Sequence, residues 1–473
     1  MQEIKERSCI RKLPNGKKVI YVHGKPFQTY GIQIRLDLWR REQKADNKTI
    51  HEKGIFRWAK NLNCNTVQVP VCFRECEPSE GIYDWTNLDF AITECEENNL
   101  KLEIVWFGSD VCGSGWGNVT PDYIIDDQKT YQRILNENGE VVGGSYENSD
   151  GRKISLCREN DRLLERETKL LAEMMRHIKA FDKNGVVIGF QVENEPSIMQ
   201  HNPTMVQTKR CFCNTCNRIF EENGYTDDIE FSKDRLAVYL NKIARTVKDN
   251  MDIFTRVNFI WPYYEVDEDL HKILSSTPCY IDFIGIDTYG YDQMTTYKQL
   301  KEYFSQDDNM PHISELPGHQ PFMHNCIIEV LAADGAGADV YRLAETTKGS
   351  DNFLLDENGN DTQPHTPLVR GIFGMLGRVM EDIAVRRSNE DIFYFNCFGN
   401  TKEIFTEQRE INGTEVRFST TSSAIGIVID MGDGTYKIMS TGNALFELQK
   451  ECHKVKAFEI CTVNLLRDEE EKR

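Results

Sequence analysis

The chain is poor in positive charge: 56 Lys and Arg stand against 75 Asp and Glu in 473 residues, a net charge of −19. The acid is spread along the sequence, which argues against nucleic-acid phosphates and anionic membrane surfaces as partners. No apolar run approaches the length that crosses a bilayer. The opening MQEIKERSCIRKLPNGKK is too charged for the apolar stretch of a secretory leader, so none is expected. With 14 prolines, 32 glycines and 40% hydrophobic residues, the composition is that of a folded globular protein. Cysteine is not scarce: there are 15, an odd number, mostly single in apolar surroundings. Cys64, Cys72, Cys279 and Cys326 read as small buried hydrophobes rather than a disulfide framework, and a reducing cytoplasm is the expected location.

The length fits one large barrel with an appendage, or two to three ordinary domains. Between Tyr30 and Arg387, short apolar runs alternate with helical patterns. Eight strands are expected, at 30–36, 65–71, 101–108, 185–196, 255–262, 282–290, 311–318 and 338–345. In Asp161–Phe181, Leu163, Leu170, Met174 and Ile178 fall on one helical face. Eight strand–helix units imply a parallel (β/α)8 TIM barrel over residues 1–391, preceded within it by a strand region at 1–28. The strands alternate, with Ile32, Ile34 and Leu36 set against Gln33, Arg35 and Asp37. That pattern suits a barrel with a polar interior better than an open sheet covered on both faces. Beyond Arg387 the runs are short and separated by Asn, Gly and Asp turns, and MGDGTY is a hairpin signal. Residues 392–473 are expected to form a small all-β C-terminal domain, ending in the solvated charge run RDEEEKR.

GFQVENEP (189–196) is a buried strand that carries its acids at its C-terminal end, where barrels of this type place their chemistry. Glu195 ends the fourth strand and Glu315, in HISELPG, ends the seventh. Two carboxylates across a barrel mouth suit glycoside hydrolysis, one protonating the leaving oxygen while the other attacks the anomeric carbon or activates a water. A lone Glu would more simply be a salt-bridged surface residue. Aromatic residues near strand ends could stack on a pyranose or could be core packing: Trp106, Phe107, Trp116 and, above all, Trp261.

These phrases resemble the glycoside hydrolases of clan A. NEP resembles the clan's acid/base signature, FQVENE is similar to family 35 β-galactosidases, and FRECEPSEGIYDWTNLD (73–89) resembles a segment shared by families 35 and 42. The resemblance covers residues 20–345. It implies that Glu195 is the acid/base, Glu315 the nucleophile, Asn194 a ligand of the sugar 2-hydroxyl and Tyr289 a hydroxyl holding the nucleophile. Arg35 is expected to make a polar contact in the donor subsite. Glu193, on the same strand face as Glu195, is expected one layer deeper, paired with a base such as Arg35.

KRCFCNTCNRIF places Cys211, Cys213 and Cys216 as C-x-C-x2-C, tight enough to put three thiolates around one ion. Structural zinc takes four ligands, sulfur preferred, and Cys157 in GRKISLCREN is the available fourth. The order Cys157, helix, Asn-Glu strand, triplet closely resembles family 42 β-galactosidases, many of which hold zinc this way. Unliganded thiols or a redox pair are the alternatives, although no thioredoxin-like context surrounds the pair. Family 42 members usually carry a larger second domain involved in trimer formation between the barrel and a short C-terminal domain, whereas here about 80 residues follow the barrel, and family 35 members usually lack the cysteines. The resemblance therefore implies a retaining exo-β-galactosidase acting on a carbohydrate, with structural zinc and a homo-oligomer (dimer or trimer) as expectations. Another β-glycosidase (β-glucosidase, β-mannosidase or α-L-arabinopyranosidase), a non-catalytic carbohydrate-binding barrel and a zinc-dependent hydrolase stay open.

Overall fold

The eight expected apolar runs close on one another as a parallel barrel. A computed structural model describes residues 6–109, 119–142, 155–196, 208–260, 272–289, 300, 308–321, 323–346, 353–397, 403–457, 461–464 and 469–472. Three antiparallel strands come first, β1 (Ser8–Lys12), β2 (Lys18–Val22) and β3 (Lys25–Phe27). The barrel follows in chain order: β4 (Thr29–Gln33), β5 (Thr66–Cys72), β6 (Lys101–Phe107), β7 (Val187–Gln191), β8 (Phe254–Ile260), β9 (Phe283–Asp287), β10 (Ile313–Pro317) and β11 (Gly337–Tyr341). β11 pairs with β4 to close the ring. The strands end earlier than the apolar runs predict, β4 at Gln33 and β7 at Gln191. The residues beyond turn away to build the mouth, and Asp37 lies in the helix Leu36–Glu42 rather than on a strand.

The alternation sorts as expected. The helix Asp161–Phe181 buries Leu163, Leu170, Met174 and Ile178 in the main apolar core, which also holds Ile32, Val67 and Ile104 of the strands. The polar set points inward: Gln68 donates to Asp339 at 2.6 Å, Arg256 to Ser314 at 2.7 Å, and Arg256 also to Glu103 and Gln191. Such an interior needs small residues where large ones cross. A Cβ on Gly31 would fall 1.6 Å from Asp339 Oδ1.

Beneath the barrel, β1–β3 form a plug. Ile20, Val22 and Phe27 pack on Ile188, Phe254, Phe283 and Met310. Ser8 Oγ accepts from the Phe254 amide at 2.9 Å and donates to Ile188 O, stitching the plug to β7 and β8. Cys64, Cys72 and Cys326 are buried and Cys279 is half-buried.

The C-terminal strands form two sheets. One holds β12 (Ile392–Cys397), β15 (Ala424–Asp430), β16 (Thr435–Ser440), β19 (Cys461–Asn464) and β20 (Glu469–Lys472). The other holds β13 (Phe405–Ile411), β14 (Thr414–Thr420), β17 (Ala444–Lys450) and β18 (His453–Ala457). Phe395, Phe418 and Phe446 interlock between them. Ile425, Ile427 and Ile429 join the barrel's core, so AIGIVID is buried on both faces. MGDGTY is the β15–β16 turn, with Gly432 and Gly434 at positive φ. Within the RDEEEKR tail, Glu469–Lys472 pairs its backbone with β19 as an edge strand, because main-chain pairing does not depend on side-chain polarity. No helix among the described residues is long and apolar enough to cross a membrane.

Candidate active site

Glu315 sits in β10 at the barrel mouth, 4% exposed. Its carboxylate accepts from Tyr289 Oη at 2.5 Å and from Gln33 Nε2 at 3.2 Å. Burial raises its pKa, while the bonds from Tyr289 and Gln33 and the charges of Arg35 and Arg256 pull the other way. Glu195 lies four residues past β7 and is buried. Its backbone N–H donates to Asn258 Oδ1 at 3.0 Å, and Asn258 Nδ2 donates to Asp287 Oδ2 at 2.8 Å. Glu195, Asp287 and Glu315 each bring a carboxylate oxygen within 4.8 Å of the others. Three acids so close and so buried cannot all ionise.

The segment after β7 reaches this geometry through unusual backbone. Glu193 and Glu195 have φ of 62° and 46°, a left-handed conformation that costs non-glycine residues on the order of 1 kcal/mol each. The turn at Glu193 breaks the strand's alternation, so Glu193 does not stay inside the barrel below Glu195 as the sequence implies. It swings beside β6, where it accepts from the Gly108 amide at 3.1 Å and from Tyr239 Oη at 2.6 Å. Glu167 lies next to it, accepting from Trp106 Nε1 (2.8 Å), Ser109 Oγ (2.8 Å) and Tyr239 Oη (3.1 Å). A Cβ on Gly108 would come within 2.3 Å of both carboxylates, so only glycine fits there. Arg35 is held instead by Asp37, two bonds of 2.8 and 2.7 Å, because the helix begins at once after β4. It also donates to Tyr341 Oη at 3.2 Å and lies over the Phe107 ring.

The second cluster joins two loops on the same face. Cys157 precedes the helix Asp161–Phe181, and Cys211, Cys213 and Cys216 surround the start of the helix Asn214–Glu222. One sulfur from each lies within 4.8 Å of the others, with Cys157 Sγ 3.7 Å from Cys213 Sγ and 3.4 Å from Cys216 Sγ. A disulfide needs about 2.05 Å. These four thiols could hold a metal ion. Leu135, Phe220 and Phe231 wall the cluster. Arg210, stacked 3.8 Å over the Phe212 ring, ties Cys211 O to Asn217.

No family model and no curated protein matches the sequence. Solved structures do. A β-galactosidase from Rahnella sp. R3 is 14% identical with a TM-score of 0.55, covering 77% of this chain and 58% of that one. A GH42 β-galactosidase from G. stearothermophilus is 13% identical with a TM-score of 0.56 and the same coverage. A β-galactosidase from the haloarchaeon Halorubrum lacusprofundi is 15% identical with a TM-score of 0.53, covering 73% and 58%. The fold is that of the GH42 β-galactosidases. This chain spans 58% of the length of each of these three neighbours.

Within the GH42 fold, Glu195, Glu315, Asn194, Tyr289 and Arg35 gather at one end of the barrel. Asn194 Oδ1 accepts from Gln191 at 3.1 Å and its Nδ2 stands 3.5 Å from Glu195 Oε2. Trp261 and Trp116 lie outside the described residues. Trp106 and Phe107 are buried and belong to the packing rather than to a sugar platform. Glu77 of the FRECEPSEG segment is buried too. It pairs with Arg166 and accepts from the Gly81 amide at 2.6 Å, fixing the loop after β5. The sequence reading missed Asp287, Gln33 and Asn258 as site residues. The signal for Asp287 was present: it lies two residues before Tyr289, and a period of two puts both on one side.

Proposed function

We propose that this chain is a retaining, exo-acting β-galactosidase that removes terminal β-galactosyl residues from oligosaccharides or glycosides. The observation that carries the reading is the approach of a carboxylate oxygen of Glu195, in the segment after β7, to within 4.8 Å of one of Glu315 on β10. Retaining enzymes hold their carboxyls about 5–5.5 Å apart, whereas inverting enzymes leave about 6.5–9.5 Å for a water. Glu315, oriented by Tyr289, attacks the anomeric carbon while Glu195 gives its proton to the leaving oxygen. Water then adds with Glu195 as base. The C–O bond to the leaving group breaks as the C–O bond to Glu315 forms, and the second step reverses both events with water. Asn194 is the candidate ligand of the 2-hydroxyl, and Arg35 a polar contact at the donor side. The choice of galactose rests on the solved neighbours, each a β-galactosidase by name.

The test is hydrolysis of a panel of nitrophenyl β-glycosides by the wild type and by Glu315→Ala with and without azide. The expected result is cleavage of the β-galactoside, a dead variant, and rescue by azide as the α-galactosyl azide. A folded wild type that cleaves no glycoside, or a fully active Glu315→Ala, would sink the proposal.

We further propose zinc as the ion of Cys157, Cys211, Cys213 and Cys216. Zn–S bonds of about 2.3 Å place tetrahedral sulfurs about 3.8 Å apart, near the observed 3.4 and 3.7 Å. When bound, the ion would staple the loops after β6 and β7 and complete its coordination with sulfur alone. Metal analysis is expected to give one zinc per chain, lost in Cys213→Ser together with a lowered unfolding temperature. Full stability without metal would refute it. A cytoplasmic location, suited to thiolate ligands, and assembly as a dimer or trimer complete the proposal.

A further inference from the structure

The third acid of the mouth has no part in the two-glutamate scheme, yet it is the most buried of the three. Asp287 is 0% exposed, against 8% for Glu195 and 4% for Glu315. Its Oδ2 accepts from Asn258 Nδ2 at 2.8 Å, while no donor among the described residues reaches its Oδ1. What it does face is Glu195, in carboxyl-to-carboxyl contact, with Glu315 within 4.8 Å. Two carboxyl groups in that contact can bond only if one of them carries a proton.

We propose that Asp287 is a positioning residue that stays protonated through the catalytic cycle and donates its O–H to Glu195, steadying that carboxylate in the half of the cycle when it is charged. The inference rests on the glycosidase reading and deepens it. With Asp287 neutral, the three-acid cluster holds one negative charge at every stage. In the free enzyme that charge is on Glu315 and Glu195 is protonated. In the glycosyl-enzyme Glu315 is esterified and Glu195, having lost its proton to the leaving oxygen, carries it. Water then returns a proton to Glu195 and hydroxyl to the sugar, and Glu315 leaves as carboxylate. Asp287 neither gains nor loses a proton. An ionised Asp287 would instead leave two negative charges within 4.8 Å in the glycosyl-enzyme.

The charged groups around Asp287 fit this. Glu315 and Glu195 face it from β10 and from the segment after β7, Tyr289 lies two residues on, and Arg256 from β8 is a cation that acts on it. Burial, followed by the charges of Glu315 and Glu195, pushes its carboxyl well above the usual range, and Arg256 offsets this only in part. Glu195 by contrast hangs from a strained turn at the open end, where a leaving group can reach it. The acid that must exchange its proton is the more exposed one.

The experiment compares Asp287→Asn and Asp287→Ala, because an amide mimics a protonated acid: it donates to Glu195 and accepts from Asn258. Turnover of a nitrophenyl β-galactoside is followed against pH, and infrared spectra of wild type and Asp287→Asn are compared at pH 7. The expected result is a fall in kcat of about tenfold for Asn and about 10²-fold or more for Ala. The alkaline limb of kcat/KM reports Glu195. Loss of the donor in Asp287→Ala should move it up by about one pH unit, while Asp287→Asn leaves it near its wild-type position. In the infrared comparison, a protonated-carboxyl C=O band is lost from Asp287→Asn. The proposal is overturned if the limb moves down in both variants, as loss of a negative neighbour requires. It is equally overturned if Asn costs as much as Ala, or if no protonated-carboxyl band disappears. Should Asp287→Ala fail to fold, the isosteric variant and the infrared band still decide. A wild type that turns over no glycoside defeats the glycosidase reading instead, and the band then reports on Asp287 by itself.

Discussion

The barrel interior holds buried acid at two depths, and the two sets are treated differently. Lower down, Glu103 and Asp339 surround Arg256, and each is tied by a donor from two strands away in the ring: Arg256 to Glu103, Gln68 to Asp339. At the mouth, Glu195, Asp287 and Glu315 bring carboxylate oxygens within 4.8 Å of one another, and the neutral groups Tyr289, Gln33 and Asn258 donate to this cluster. Composition is shared: acids on or just past the barrel strands, almost no exposure. Neutralisation is not. Where a guanidinium sits in the middle, the acids are architecture. Where the donors are Tyr289, Gln33 and Asn258, burial and mutual repulsion leave charge that a reaction can use. The pair Glu193 and Glu167 is a third case, outside the barrel, where backbone amides and hydroxyls hold two acids that brace the turn carrying Glu195.

The sharpest way to break this contrast is to neutralise one acid in the upper set. Glu315→Gln should lower kcat by about 10⁴-fold or more and leave the urea midpoint equal to or above that of the wild type, because active-site charge is held at a cost in stability. Arg256→Met in the lower set should do the reverse. Stripping the guanidinium from Glu103, Gln191 and Ser314 should cost about 3–5 kcal/mol of unfolding free energy, with a smaller loss of turnover in the molecules that remain folded. If Glu315→Gln destabilises as much as Arg256→Met, the two layers do the same job and the contrast fails.

Much of this was legible in the sequence, because the barrel rests on period-two alternation in eight short runs, and alternation survives in any local context. Glu195 and Glu315 were visible for the same reason, standing where apolar runs end. What was not legible depends on turns. Glu193 shares its strand parity with Glu195, yet a φ of 62° sends it to Tyr239 rather than into the barrel. Arg35 finds Asp37 because a helix starts at Leu36, one residue after it. Asp287 was hidden in plain alternation beside Tyr289, since no motif marks an acid whose part is set by a neighbour from another strand. The cysteines stood apart from all of this: their spacing alone brings three sulfurs together, and Cys157, implied as the fourth by the family 42 resemblance, is brought to them by the fold.

A smaller effect sharpens the lower layer itself. His312 Nε2 lies 3.1 Å from Asp339 Oδ2, both fully buried. Burial pushes Asp339 up to about 7, and burial with the charge of Arg256 pushes His312 down to about 3. Folded Asp339 keeps a proton that the unfolded chain releases near pH 4, so its contribution to stability falls as pH rises from about 4 to about 7. His312 works in the opposite direction. The unfolded chain protonates it below about pH 6.5 and the folded one does not until about 3, so its contribution rises with pH across that span. Between about pH 4 and 6.5 the two slopes oppose each other, each approaching 1.4 kcal/mol per pH unit. Asp339→Asn removes only the falling one. Urea unfolding across that window should therefore give a stability that climbs more steeply with pH in the variant than in the wild type. Parallel curves would mean that Asp339 is ionised in the folded barrel. The lower layer would then hold two full negative charges against the single Arg256, and neutralisation would no longer be what separates the two depths.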